Sequence, residues 1–288
     1  MMKPIMIIAD LEAKRQIALA RGMTLANSLG ARVEVVGFCY EYMTGLATSV
    51  QKDLQKCLLA KKREWLEAEV AKQTPEGLKV KVSVVWEKSV HRWVIERCAA
   101  KDYFAVIKTA HRSGNFLYTS TDWHLLRECP APVLIEADKK WNKARPILAS
   151  LDLETKHTAK RSLNDRVMAH AQEIARANGS ELHVAYAIVV PTLLRDMDLI
   201  DVDAHELDRR RKLKPVIDAL CEKYGLKKSQ VHLKTGQAPK VIPSIANKLK
   251  ADLVVMGTVG RRGIKGKLIG NTAEQVLQLL RTDVLAVK

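Results

Sequence analysis

Apolar residues in this 288-residue chain fall into short dense runs separated by longer amphipathic stretches. The first run, residues 5–9, stops at Asp10, and a helical pattern follows through Leu29 to a stop at Gly30. Residues 33–38 read as the next strand. Residues 52–72 read as a helix with Leu54, Leu58, Trp65 and Leu66 on one side and Lys61, Lys62 and Arg63 in solvent. A strand at 80–85, a helix at 90–100 and strands at 104–107 and 133–135 complete five strands. The second half repeats the succession, with strands at 147–151, 182–188, 230–233, 253–256 and 284–287. Short, β-branched, continuously apolar strands alternating with helices predict a parallel sheet covered on both faces. Each half therefore reads as a doubly wound α/β domain, which binds ligands beyond the carboxyl ends of its strands, where the strand order reverses.

The two halves also match residue by residue. PIMIIADLEAK at 4–14 aligns with PILASLDLETK at 146–156 at a constant offset of 142, with six of eleven positions identical, including Asp10/Asp152 and Glu12/Glu154. Near the end of each half, Thr109-Ala-His-Arg-Ser-Gly114 aligns with Thr258-Val-Gly-Arg-Arg-Gly263. Two tandem domains follow, at residues 1–140 and 141–288.

Composition narrows the class. Hydrophobic residues make up 47% and charged residues 28%, the balance of a globular chain. The longest apolar stretch, 184–194, has 11 residues and is interrupted by Pro191 and Thr192, against the ~20 of a membrane-spanning helix. The amino-terminal sequence lacks a signal peptide's longer apolar region and cleavage site, so the expected location is cytoplasmic, with no membrane partner. Five scattered cysteines without a CxxC pair fit reduced thiols, and no zinc site assembles from local spacing. Net charge is +16, divided +6 and +10 between the halves, which favours anionic partners such as nucleotides or nucleic acid. Three Phe and six Tyr, not interleaved with the basic runs, argue against a stacking platform for single strands.

The stretch most suggestive of chemistry is LVVMGTVGRRGIKGKLIGNTAE at 253–274. A strand ends at Met256, a glycine-rich loop carries Arg261, Arg262, Lys265 and Lys267, and a helix begins after Gly270. Glycine lets backbone amides approach a ligand, and a helix N-terminus offers unpaired N–H groups to an anion. A purely structural reading stands beside this one: Asn271 and Glu274 have the spacing of a capping box. The loop is neither the P-loop nor the dinucleotide fingerprint.

Gly257-x2-Gly260-x9-Gly270 followed by a small polar residue resembles the nucleotide-binding universal stress proteins, of the tandem two-domain type. Family members usually carry Ser or Thr after the third glycine; here Asn271 precedes Thr272. The resemblance covers the whole chain and implies two Rossmann-like, adenine nucleotide alpha hydrolase-like domains, each with a five-stranded parallel sheet. It also implies ATP, accompanied by Mg2+, across the strand ends of the second domain. Asp152 would face the adenosine, and Ala187 would offer backbone contacts to adenine. Met256 and Gly257 would line the pocket. Gly260, Gly270, Asn271 and Thr272 would cradle phosphates, with Arg261 adding charge.

The first half departs from the pattern. Aligning Thr109 with Thr258 sets Lys108 against Gly257 and His111 against Gly260; aligning the last strands sets Thr119-Ser120 against Gly270-Asn271, across a loop two residues shorter. A nucleotide motif degenerate in the first domain is the expectation. The resulting picture is a cytoplasmic stress-response protein acting by nucleotide binding rather than catalysis. Its two domains would pack as an internal pseudo-dimer, with a homodimer as a further assembly. The alternatives are a slow ATP hydrolase, with Asp152 as its base, and a basic nucleic-acid-associated protein. Thr121 or Asp122 is expected to cap a helix at 123–127, and the acidic-to-basic run 196–214 reads as solvation patterning along one helix.

Overall fold

The computed structural model describes residues 2–13, 15–110, 119–137, 141, 145–190, 197, 200–258 and 269–288. The chain divides into two compact units, residues 1–138 and 139–288.

In the first unit, β1 (Ile5–Ala9), α1 (Ile17–Leu29), β2 (Val33–Cys39), α2 (Thr48–Gln73), β3 (Val80–Trp86), α3 (Val90–Ala100), β4 (Ala105–Thr109), α4 (Ser120–Glu128) and β5 (Val133–Glu136) follow in order. The strands form a parallel array β3-β2-β1-β4-β5. The second unit runs β6 (Ile147–Ser150), α5 (Thr158–Asn178), β7 (Leu182–Ile188), α6 (Val202–Tyr224), β8 (Val231–Thr235), α7 (Ala238–Leu249), β9 (Leu253–Gly257), α8 (Asn271–Leu279) and β10 (Asp283–Val287). Its array is β8-β7-β6-β9-β10, again parallel.

Both units are five-stranded doubly wound folds, as the alternation of apolar runs predicts. Every residue of β1 is buried, as a central strand covered on both faces requires. The chain builds outward from β1 or β6 in one direction and then returns to the other side. The strand order therefore reverses between β1 and β4, and between β6 and β9, leaving a crevice at the carboxyl edge of each sheet. The first helix of each unit ends the same way, on a left-handed glycine: Gly30 at φ 64° and Gly179 at φ 66°.

Several boundaries move. α2 starts at Thr48, a turn before the expected 52. Gln230 lies in a short 3-10 turn, and β8 occupies Val231–Thr235 instead of 230–233. α4 starts at Ser120 and is capped by Thr119, not by Thr121 or Asp122.

Register settles how the units correspond. Ile5 and Ile147 are repeat mates, and they pair with Ala105 and Leu253 respectively. Lys108 therefore corresponds to Met256, and Thr109 to Gly257. The next backbone bonds agree, Ala110 N–H to Glu136 O at 2.9 Å and Thr258 N–H to Val287 O at 2.7 Å. Matching Thr109 to Thr258 by sequence is one residue out. Successive strand side chains point to opposite faces, so that slip would place Lys108 on the wrong face of the sheet. The helix caps correspond as expected, Thr119 with Gly270. Eight residues separate Ala110 from Thr119 and eleven separate Thr258 from Gly270, so the first loop is shorter by three, not two.

Candidate functional site

The second unit's crevice is built from the carboxyl ends of β6, β7 and β9 and the start of α8. Asp152 follows β6. Its backbone is clamped by Asn164 of α5, whose Nδ2 donates to Asp152 O at 2.9 Å and whose Oδ1 accepts from Asp152 N at 3.2 Å. The Asp152 carboxylate is half-exposed, with Lys160 Nζ 3.3 Å from Oδ2. In the first unit Gln16 takes over the clamp, donating to Asp10 O at 2.6 Å, while the Asp10 carboxylate accepts from Glu12 N at 3.1 Å.

Ala187 is buried in the penultimate position of β7, and Met256 is buried next to the end of β9. A Cβ on Gly257 would lie 2.6 Å from Leu163 Cδ2, so this glycine lets α5 close over the strand end. Thr258 is buried, and both its N–H and its hydroxyl donate to Val287 O.

α8 begins differently from the expected capping box. Gly270 is its N-cap and makes no side-chain cap bond, and Asn271 is already helical. Asn271 and Thr272 are exposed on the first turn. A helix start without a side-chain cap leaves N–H donors and the positive end of the helix dipole available to an anion. Asp152, Ala187, Met256, Gly257, Gly270, Asn271 and Thr272 thus all belong to the strand-end edge of this unit. Gly260 and Arg261, with Arg262, Lys265 and Lys267, lie outside the described residues.

The first unit's crevice, of about 320 Å³, is lined by Asp10, Glu12, Phe38, Lys108, Thr119 and Thr121 among others. Phe38 stands in register where the second unit has Ala187. Thr119 caps α4 through a complete box: its hydroxyl accepts from Asp122 N, and Asp122 Oδ2 accepts from Thr119 N at 2.7 Å. Asp122 Oδ1 is 2.8 Å from Lys108 Nζ, in an ion pair whose carboxylate is fully buried.

Sequence reasoning missed a network at the rim of the second crevice. Tyr186 of β7 donates to Glu154 Oε2 at 2.5 Å, and Arg209 of α6 meets Glu154 Oε1 at 3.0 Å. Burial, reinforced by the Glu154 carboxylate, pushes the Tyr186 phenol well above its usual range. The recurrence of Glu12 as Glu154 was the available signal. Its partners lie 32 and 55 residues away, beyond any local pattern.

Comparison with known proteins agrees with the two doubly wound units. The model of the universal stress protein family matches residues 1–135 and 160–288, and the chain belongs to that family. It is similar to Universal stress protein E of Escherichia coli K12, 28% identical over 298 residues, covering 100% of this chain and 94% of the relative. Universal stress protein E homolog of Haemophilus influenzae is 25% identical over 300 residues, covering 99% and 97%. Among solved structures, a functionally unknown protein of Pseudomonas aeruginosa PAO1 superimposes with a TM-score of 0.75 at 27% identity, covering 100% of this chain and 92% of that one. A universal stress protein from Archaeoglobus fulgidus has a TM-score of 0.65 at 19% identity, covering 99% and 98%, a likeness of fold.

Proposed function

We propose that the second unit binds an adenine nucleotide, ATP, and that the protein is a cytoplasmic stress-response protein acting through that binding rather than through catalysis. The observation that supports this most is the α8 N-terminus. It is free of a side-chain cap, it follows a glycine-rich segment, and it stands at the strand-order reversal where such sheets take ligands. Asp152, Ala187, Met256 and Gly257 would hold the nucleoside end. Gly270, Asn271 and Thr272 would hold the phosphates, joined by Gly260 and Arg261 on sequence grounds.

Among the described residues no three His, Cys, Asp or Glu side chains are grouped to hold a metal. On the proposed reading, magnesium would be carried by the nucleotide's own phosphates. Among the described residues no helix is long and apolar enough to cross a membrane.

The basic stretch of α6 gives the nucleic-acid alternative little support. Arg209, Arg210 and Lys212 are each paired, with Glu154, Glu206 and Asp208 at 3.0, 2.7 and 2.7 Å. Phosphate binding would have to displace those carboxylates.

The test is to denature freshly purified protein and identify and count the nucleotides released, beside a Gly260→Val variant that obstructs the loop. About one ATP per chain, lost in the variant, is expected. No released nucleotide, and no uptake on adding ATP with magnesium, overturns the reading. ATP turnover abolished by Asp152→Asn with binding retained would favour the hydrolase alternative instead.

A further inference from the structure

We propose that the anion locus at the head of α4 is filled by the protein's own Asp122, and that three residue differences between the units confine phosphate recognition to the second. The proposal deepens the nucleotide reading and rests on it for its second half.

The ligands of Asp122 are those that a helix-bound phosphate takes. Oδ2 accepts from Thr119 N at 2.7 Å and from Thr119 Oγ1 at 2.8 Å, and Oδ1 faces Lys108 Nζ at 2.8 Å. A helix-terminal N–H, a hydroxyl and an ammonium converge on one buried carboxylate. Lys108 lines the crevice but is only 7% exposed, and its charge is neutralised by the buried Asp122 carboxylate.

The second unit has none of the three internal partners. Met256 holds the register position of Lys108, and Gly270 holds the cap position of Thr119. Counting from those caps, Ala273 holds the position of Asp122, and its methyl side chain accepts nothing. Each change removes a donor or acceptor of the internal pair, so these three positions cannot rebuild that pair at the head of α8. The three changes belong together chemically: Lys108 without Asp122 would be a buried unpaired cation, and Asp122 without Lys108 a buried carboxylate short of a partner.

The experiment has two arms. In the first, Gly270→Thr with Ala273→Asp rebuilds the box at α8 of the full-length protein. The helix is expected to keep or gain thermal stability, while nucleotide carried through purification falls roughly tenfold or more, the effect of losing a charge-assisted bond. Unchanged nucleotide content in a folded variant overturns the proposal, because a merely structural cap would leave binding alone. In the second arm, Asp122→Asn keeps the shape of α4 and frees the charge of Lys108. Its affinity for inorganic phosphate, followed by calorimetry, is expected to rise roughly tenfold over the unsubstituted protein, and adding Lys108→Met should abolish the gain. If Asp122→Asn does not fold, Thr119→Gly with Asp122→Ala, the pair that the second unit itself carries, replaces it. No gain in phosphate affinity overturns the proposal. Absence of nucleotide from the unsubstituted protein would count against the second unit's function alone, and the phosphate arm would still decide this inference.

Discussion

Leu163 of α5 lies so close over Gly257 at the end of β9 that a Cβ on the glycine would approach its Cδ2 to 2.6 Å. The glycine of the recognised motif therefore has a packing duty in addition to any role toward a ligand. Gly257→Ala is expected to cost about 1–3 kcal/mol by overpacking. Leu163→Ala should recover part of that cost in the double variant, because it removes the methyl groups the new Cβ meets. Urea unfolding of the two single variants and the double variant measures the coupling; strict additivity would mean that the two side chains do not compete for space.

The two helix starts should respond unequally to loss of a polar side chain. Thr119→Ala removes the acceptor of a complete capping box and should cost about 1 kcal/mol. Asn271→Ala should change stability by less than about 0.5 kcal/mol, because Asn271 is already inside α8 and Gly270 is the cap. Thermal melts of both variants make the comparison; an equal loss in the two would restore Asn271 as a cap.

Glu34 is a charged residue in a strand that is otherwise read as core. It is 4% exposed, and it accepts from Arg97 at 2.8 Å, Lys101 at 2.7 Å and Tyr103 at 2.7 Å. Burial pushes its pKa up, but the hydrogen bonds from Lys101, Tyr103 and Arg97 outweigh it and hold the carboxyl below 4.5. A carboxyl with a lowered folded pKa stabilises fully above its unfolded value, and the contribution disappears as pH falls through the folded value. Glu34→Gln should therefore cost about 1–3 kcal/mol at neutral pH and flatten the acid limb of the stability curve. Denaturant unfolding between pH 7 and 3 tests it; parallel curves for the two proteins would assign the acid sensitivity elsewhere.

On β7 and β8, His183 Nδ1 and His232 Nε2 are 2.8 Å apart, and Glu181 Oε2 lies 3.2 Å from the other nitrogen of His183. Burial, followed by the nearby His183 and Lys248, lowers the His232 pKa below its ordinary 6.5. A base with a lowered folded pKa contributes fully above its unfolded value and is lost as pH falls from there through the folded value. Stability should decline below pH 6.5, and His232→Gln should make that decline shallower. His91, lowered by burial and then by the charge of the neighbouring His124, adds a slope of the same sign, so the decline will not vanish. Imidazole proton resonances of His232 followed by NMR titration give the direct reading, and a midpoint at or above the ordinary value would refute it.

The sequence by itself determined the duplication, the alternation of strands and helices, and the five parallel strands of each unit. These are written in local periodicity and in a repeated eleven-residue segment, which require no knowledge of distant contacts. It also brought most of the proposed second-unit site into view, since strand ends and glycines are readable in order along the chain. Tertiary structure alone decided which side chain stands opposite which. Residue identity paired Thr109 with Thr258, but the pleat pairs Thr109 with Gly257 and Lys108 with Met256, because register is fixed by hydrogen bonds between strands. Cap identity was likewise decided by backbone geometry: Asn271 has the composition of a cap, but the chain enters the helix at Gly270. The Glu34–Arg97, Glu154–Tyr186 and Lys108–Asp122 pairs join residues on different elements. Their chemistry is visible in the sequence one residue at a time, but a buried charge finds its partner only when the sheet and its helices close around it.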